Sequence, residues 1–492
     1  MCNCLTSPIG DRPLLEILSK EKIEEIHVAS LRVLEETGIM VNSENAFKIF
    51  IEMGADVDKD KKIVYIPEHL VKEALKRVPS VVKMYSRDGK LSMLLTKNKV
   101  HYNPGSAALY VLDRETGEMR RPLSEDFRQF VRLVDAMENI HAQSTAMVVS
   151  DVPEIVADRY RLYIVLKNST KPIITGAFTI EGVHDMKKML ETVLGGEKEL
   201  RKRPLAIFDA CVSSPLEWSE ITVQNLIDCV NYGIPVEVIT APQVGGTAPA
   251  TLAGTLVQLN AEVLSGIVLT QMIKPGTPVI YGGSPCVLDM RTGTGRLAAI
   301  EAIMICCAYA QMGKYYDLPT YGYLGLSDAK TIDAQAGLEA SIGLILGSLA
   351  GINNIAGPGM LSFENCQSFE KLVIDNEICG YALRFLRGIQ VNEETLALDV
   401  IKRVGPKGHF LAQKHTNKWF RIEEYMPSYV IDTRSERDWL EKGAKDIVKR
   451  AKERVDEVLK EHEPEPLPPD VGKELDNIAL EILKKHGATK LP

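Results

Sequence analysis

Between residues 98 and 388, eight short apolar or β-branched runs alternate with eight stretches of helical spacing, and this rhythm narrows the fold more than any other feature. The runs are Val100–Tyr102, His141–Val149, Pro172–Phe178, Pro204–Ala210, Pro235–Thr240, Pro278–Tyr281, Pro319–Tyr323 and Asn353–Ala356. Helical spacing follows at 124–136, 154–167, 181–194, 217–232, 250–273, 296–316, 333–350 and 367–387. Strands that return through a crossover helix lie parallel. Five runs open on Pro, which suits a first strand position because no ladder N–H is needed there. Eight such units predict an α/β chain folded as a (β/α)8 TIM barrel. The competing doubly wound sheet would place G-x-G-x-x-G after the first strand, and none stands there.

The flanks have a different texture. Residues 1–97 read as a helical cap, with helices predicted over 21–38, from Ser43 to about Gly54, and over 67–77 behind Pro67. The barrel is assigned to 98–388. Tyr110–Leu112 and Glu118–Arg120 around Arg114-Glu115-Thr116-Gly117 predict a hairpin after the first strand. Residues 389–492 form a C-terminal extension: a charged helix over 435–462, a stiff Glu463–Pro469 linker and a last helix over 471–486.

Composition narrows the partners. With 58 basic and 66 acidic side chains the net charge is −8, which argues against nucleic acid and anionic membranes. Nine scattered Cys without a C-x-x-C predict no disulfide framework and a cytoplasmic setting. Cys2 and Cys4 read as an incidental C-x-C, and no metal is expected, since H-E-x-x-H, H-x-H and clustered Cys/His are absent. The first twenty residues lack an apolar signal core. The charge-free stretches 238–261 and 340–363 are broken by Gly and Pro, so they read as buried passages. Charge-poor helices around Glu262 and Ile303–Tyr309 suggest burial against other subunits, hence a homo-oligomer.

Barrel enzymes carry their sites at the C-terminal ends of the strands. That rule selects Tyr102, Asn103, His141, Phe178, Phe208, Tyr281, Arg291, Tyr321, Tyr323 and Phe363 as substrate-binding residues, with Gln243, Asp328 and Lys330 as polar or catalytic candidates. The set is rich in aromatics and poor in acids, as a cation–π pocket for a quaternary ammonium would be. The same tyrosines also suit plain filling of a barrel mouth. Lys330 invites a Schiff-base lyase as the alternative, against a salt bridge to Asp328 or Asp333.

Several segments in order carry a resemblance. They are Glu35–Gly38, Ile66–Leu70, Ala241–Glu262, Asp289–Gly293, Ser327–Gly337, Phe369–Glu377, Gly408–Leu411 with His415-Thr416, and the Pro-Glu-Pro-Leu-Pro run. Together they resemble the trimethylamine methyltransferase family over almost the whole chain. That resemblance implies a barrel that moves a methyl group from a methylated amine to the Co(I) corrinoid (cobalamin) of a cognate partner protein, with no cofactor held tightly by the barrel itself. Archetypal members carry pyrrolysine. This sequence uses only the standard letters and so resembles the branch associated with quaternary amines such as glycine betaine, proline betaine or carnitine. One departure stands at Trp419, where the family usually has a second histidine.

The chemistry fits that branch. A quaternary nitrogen leaves as a neutral tertiary amine, so no acid is required and the protein's task is to orient one N–methyl bond. A betaine carboxylate would want a donor such as Arg291, Arg296, His141 or Asn103. A non-catalytic betaine-binding protein would share these features.

Overall fold

The computed structural model describes residues 12–492, so the Cys2/Cys4 pair lies outside the described residues. Eight parallel strands form its centre: β1 (His101–Asn103), β2 (Gln143–Ser144), β3 (Ile173–Thr175), β4 (Ala206–Val212), β5 (Val236–Thr240), β6 (Val279–Gly283), β7 (Thr320–Tyr323) and β8 (Asn354–Ala356). Each pairs with its neighbour in chain order, and β8 pairs with β1. The ring closes where the His141 and Ala142 N–H groups donate to Tyr102 O at 2.8 and 3.2 Å. The predicted TIM barrel is therefore the fold.

The prolines behave as their chemistry requires. Pro172, Pro235, Pro278 and Pro319 lack an N–H, yet their carbonyls accept from Gln143, Phe208, Val236 and Tyr281 on the preceding strands at 2.7–3.2 Å. The covering helices are α1 (Ser124–Ala136), α2 (Ala157–Asn168), α3 (Ile180–Leu194), α4 (Glu220–Tyr232), α5 (Leu252–Ile273), α6 (Ile300–Tyr315), α7 (Ala334–Leu349) and α8 (Phe369–Leu386). All eight lie within a few residues of the stretches predicted from spacing.

Alternation along the strands separates two cores. Phe208, Val236, Val238, Tyr281 and Ile355 face the helices, whereas Ile174, Ile207, Ile239, Ile280 and Tyr321 face the lumen. A hairpin of Val82–Tyr85 and Leu91–Leu95 closes the lumen from below, adding Val82, Met84, Met93 and Leu95 to the inner core. Its Tyr85 N–H donates to Pro204 O at 3.0 Å and its Arg87 N–H to Thr170 O at 2.8 Å. The N-terminal region is thus a helical cap plus a barrel floor. The hairpin predicted after the first strand is also present, with Tyr110–Leu112 antiparallel to Met119–Arg120.

The helices Lys20–Arg32 and Glu68–Arg77 pack across α5. This corrects the oligomer argument: Glu262 and Tyr309 are fully buried, and Ile303 nearly so, within one chain. The same cover explains why α5, long and apolar enough to cross a membrane, has 78% of its apolar window buried inside the protein. At the other end, the helix Ile447–Glu461 lies on α8 and α1, and Pro469–Lys485 lies on α3 and α2.

Candidate active site

The chemistry of the lumen begins with a register. Asp209 on β4 stands directly opposite Glu237 on β5, both on the inward side of their strands, so two carboxyls meet side by side. Burial raises the proton affinity of both. The Glu237 side chain is fully buried, and the charge of Asp209 raises its carboxyl further. Asp209 Oδ1 and Glu237 Oε2 have no other hydrogen-bond partner, which a proton shared between the carboxyls resolves. The other oxygen, Glu237 Oε1, accepts from Asn354 Nδ2 at 3.0 Å. Asn354 Oδ1 accepts from Asn103 Nδ2 at 2.9 Å, and Asn103 Oδ1 accepts from the Gly105 N–H at 2.9 Å. A polar chain thus crosses the barrel from β4 to β1.

A third carboxyl comes from above. Ser362, Phe363 and Glu364 are successive left-handed residues with φ of 53°, 58° and 72°. Such conformations cost non-Gly residues about 1–3 kcal/mol each and persist where the surroundings fix them. The turn brings Glu364 to the Tyr323 hydroxyl, and burial together with the charge of Asp209 pushes its carboxyl up to about 7. The Tyr321 and Tyr323 rings stand edge to face with centroids 6.1 Å apart, beneath that turn. Asp209 and Cys211 keep accessible surface although protein surrounds them, as the walls of an open cavity do. The Cys211 thiol is pushed up to about 12 by burial and the nearby carboxyls, so it is no nucleophile at neutral pH.

A cation coupled to this layer through Asp209 is Arg161 of α2, 1% exposed. Its Nη1 donates to Thr145 O at 2.8 Å, its guanidinium lies 4.5 Å from the Phe178 ring centre, and Nε has no partner. Burial lowers its pKa to about 10, opposed by Asp158 and Asp209.

The structure brings together part of the predicted set. Asn103, Tyr321 and Tyr323 line the lumen, and Phe178 and Phe363 stand at its rim. Tyr102, Phe208 and Tyr281 face the helices instead. The Tyr102 hydroxyl pairs with Ser348 Oγ at 2.7 Å, and the Tyr281 hydroxyl donates to Asn260 Oδ1 at 2.9 Å. Each is one residue out of phase with the lumen-facing set. His141 sits at the floor, because it precedes β2 rather than ending it. Its Nδ1 accepts from the Tyr102 N–H at 3.3 Å, and its ring packs on His101 at 5.1 Å. Burial holds both imidazoles neutral.

The polar candidates are engaged in architecture. Arg291 is 82% exposed on its side chain and paired with Asp289 at 2.7 Å. Gln243 belongs to a small sheet over the mouth, Gln243–Val244 beside Cys286–Asp289. Asp328 accepts from the Leu297 and Ala298 N–H groups at 3.2 Å, and burial raises its carboxyl to about 6. Lys330 is exposed. Its Nζ donates to Asp328 O at 2.7 Å and lies 3.7 Å from the Phe363 ring centre.

The acid-poor mouth expected from the sequence is therefore corrected: Asp209, Glu237, Glu364 and Arg161 belong to the site and are not among the residues that the strand-end rule selects. The first two strand acids carry a legible signal, because a charged residue between apolar neighbours in Ile-Phe-Asp-Ala and Val-Glu-Val must face a lumen or pay the full desolvation cost. Among the described residues no group of three or more His, Cys, Asp or Glu is arranged to hold a metal.

The comparisons with known proteins agree with this architecture. The chain is 35% identical to the trimethylamine methyltransferase MttB of Desulfitobacterium hafniense (strain DSM 10664 / DCB-2), covering 96% of this chain and 95% of that protein. It is 32% identical to the glycine betaine methyltransferase of Desulfitobacterium hafniense (strain Y51), covering 96% and 98%. It is 36% identical to the MttB of Methanosarcina thermophila, covering 94% and 96%. The crystal structure of the Methanosarcina barkeri monomethylamine methyltransferase (MtmB) shares the fold with a TM-score of 0.52 at 13% identity, over 91% of this chain and 89% of that one. With residues 3–483 matching the family described as trimethylamine methyltransferase (MTTB), the chain belongs to that family.

Proposed function

We propose that this protein takes a methyl group from a quaternary ammonium donor and passes it to the Co(I) centre of a corrinoid carried by a separate protein. The observation that carries this reading is the charge of the lumen: three carboxyls and two tyrosine rings converge beside one buried guanidinium. A fixed positive charge is the ligand such a cavity stabilises. In the reaction the N–CH3 bond breaks, its electron pair stays on nitrogen, and a neutral tertiary amine leaves while the Co(I) nucleophile gains the methyl group.

This chain's residues have three tasks. Tyr321 and Tyr323 present ring surface to the cation, the Asp209–Glu237 pair supplies negative charge at the depth of the nitrogen, and the Asn103–Asn354 chain fixes the orientation of Glu237. The exposed apolar side chains Phe178, Met290 and Ile300 suit approach of a flat macrocycle at the rim. A Schiff-base role for Lys330 finds no support, since its ammonium is exposed and capped by a ring.

Purified protein mixed with cob(I)alamin and a panel of quaternary amines tests the reading. Conversion to methylcobalamin, followed by absorbance, is the expected result. Binding of the amines without any methyl loss, with free or protein-bound corrinoid, would overturn it in favour of a non-catalytic receptor.

A further inference from the structure

Within that reading, the identity of the donor's remaining substituents is set by charge. Of the four side chains that the sequence offers as carboxylate donors, three are committed elsewhere, and the fourth, Arg296, faces a carboxylate and has no hydrogen-bond partner at its Nε. Arg291 is paired with Asp289 at 2.7 Å, and Arg296 lies 3.7 Å from the same carboxylate. His141 is at the floor, held neutral beside His101. Asn103 spends its amide on Asn354 and its oxygen on Gly105.

Arg161, a cation beside the acid layer, has Asp158 and Asp209 as counter-charges, gives Nη1 to Thr145 O and is covered by Phe178, with Nε its unpartnered donor. The same cavity holds Asp209, Glu237 and Glu364, and the fully buried Glu237 Oε2 has no donor other than the proton it shares with Asp209. An anionic substituent placed beside these groups loses its hydration and meets like charge.

We infer that the methyl donor here is a quaternary ammonium ion without a carboxylate, a tetraalkylammonium or hydroxyalkyl-ammonium, and that Asp209, Glu237 and Glu364 disfavour betaines by like-charge repulsion. Specificity of this kind rests on a repulsive element as much as an attractive one. The inference depends on the proposed reaction for its word "donor", but its charge rule concerns binding alone and is tested separately.

Calorimetric titration of the full-length protein compares tetramethylammonium and choline with glycine betaine and carnitine, followed by methyl transfer to cob(I)alamin from the same four. Roughly 100-fold tighter binding of the two cations is expected, a ratio that neutralising one carboxyl narrows by about tenfold. Glu364→Gln provides that variant. Its melting temperature and circular dichroism report separately on folding, and the wild-type ranking needs no variant. Equal or tighter binding of the betaines overturns the inference, as does a betaine preference that Arg161→Met abolishes. A cation preference without methyl transfer sustains the charge rule and rejects the reaction.

Discussion

Asn354 Nδ2 donates to Glu237 Oε1 at 3.0 Å across the barrel, so a residue on β8 orients an acid on β5. Replacing it by alanine leaves Glu237 buried without its donor and Asn103 without its acceptor. Asn354→Ala is expected to cost about 1–3 kcal/mol of stability, read from urea unfolding. It should also lower kcat/KM for the methyl donor more than it changes the far-ultraviolet spectrum.

Stability should fall as the solution becomes more alkaline through the neutral range. Burial raises the carboxyls of Asp209, Glu237, Glu364 and Asp328, so the folded chain binds more protons than the unfolded one. Their stabilising effect is complete below the ordinary carboxylate pKa of about 4 and is lost as pH rises through about 6–7. Melting temperatures across pH 5 to 8 should slope downward, and Asp209→Asn should flatten that slope. A flat wild-type profile would contradict the buried pair.

Cation binding should release protons. A fixed positive charge beside the Asp209–Glu237 pair favours its ionised form, so affinity rises with pH across the same window. Calorimetry at one pH in buffers of different ionisation enthalpy measures the released fraction. Proton uptake on binding would be the contrary result.

The buried ion pair of α8 is a structural matter. Lys371 Nζ meets Asp375 Oδ2 at 2.5 Å with both side chains nearly inaccessible, and Asp375 also accepts the Gly359 N–H at 2.7 Å at the mouth. Lys371→Met should destabilise the protein by about 3–5 kcal/mol, because the remaining charge is left unpaired, and replacing both partners with apolar residues should recover much of that loss. Chemical denaturation of the single and double variants checks it.

Lys330→Ala should leave methyl transfer nearly unchanged, and borohydride with carbonyl compounds should trap no adduct on the wild-type chain. Mass spectrometry of the treated protein reads both forms.

The barrel was legible because it is periodic. Strand and crossover recur eight times in order, five of them opened by proline, and each repeat constrains the next. The floor is absent from the sequence reading although Asp88-Gly89 between Val82–Tyr85 and Leu91–Leu95 carries a strong hairpin signal. Site residues were harder because lumen and helix faces differ by a single step in phase. Choosing Phe208 instead of Asp209, or Tyr281 instead of Gly282, selects the wrong side of the sheet. Glu364 was out of reach for another reason. Its position depends on three left-handed residues in a row, and Ser-Phe-Glu announces no such turn.

The plug formed by Val82, Met84, Met93 and Leu95 makes the barrel a tube with one door. Whatever gives the methyl group must go in before whatever receives it, and the spent amine waits behind the receiver until that receiver departs. Turnover in such a tube is paced by queueing at the door, so a bulky receiver that lingers would slow every cycle however quickly the bond is exchanged.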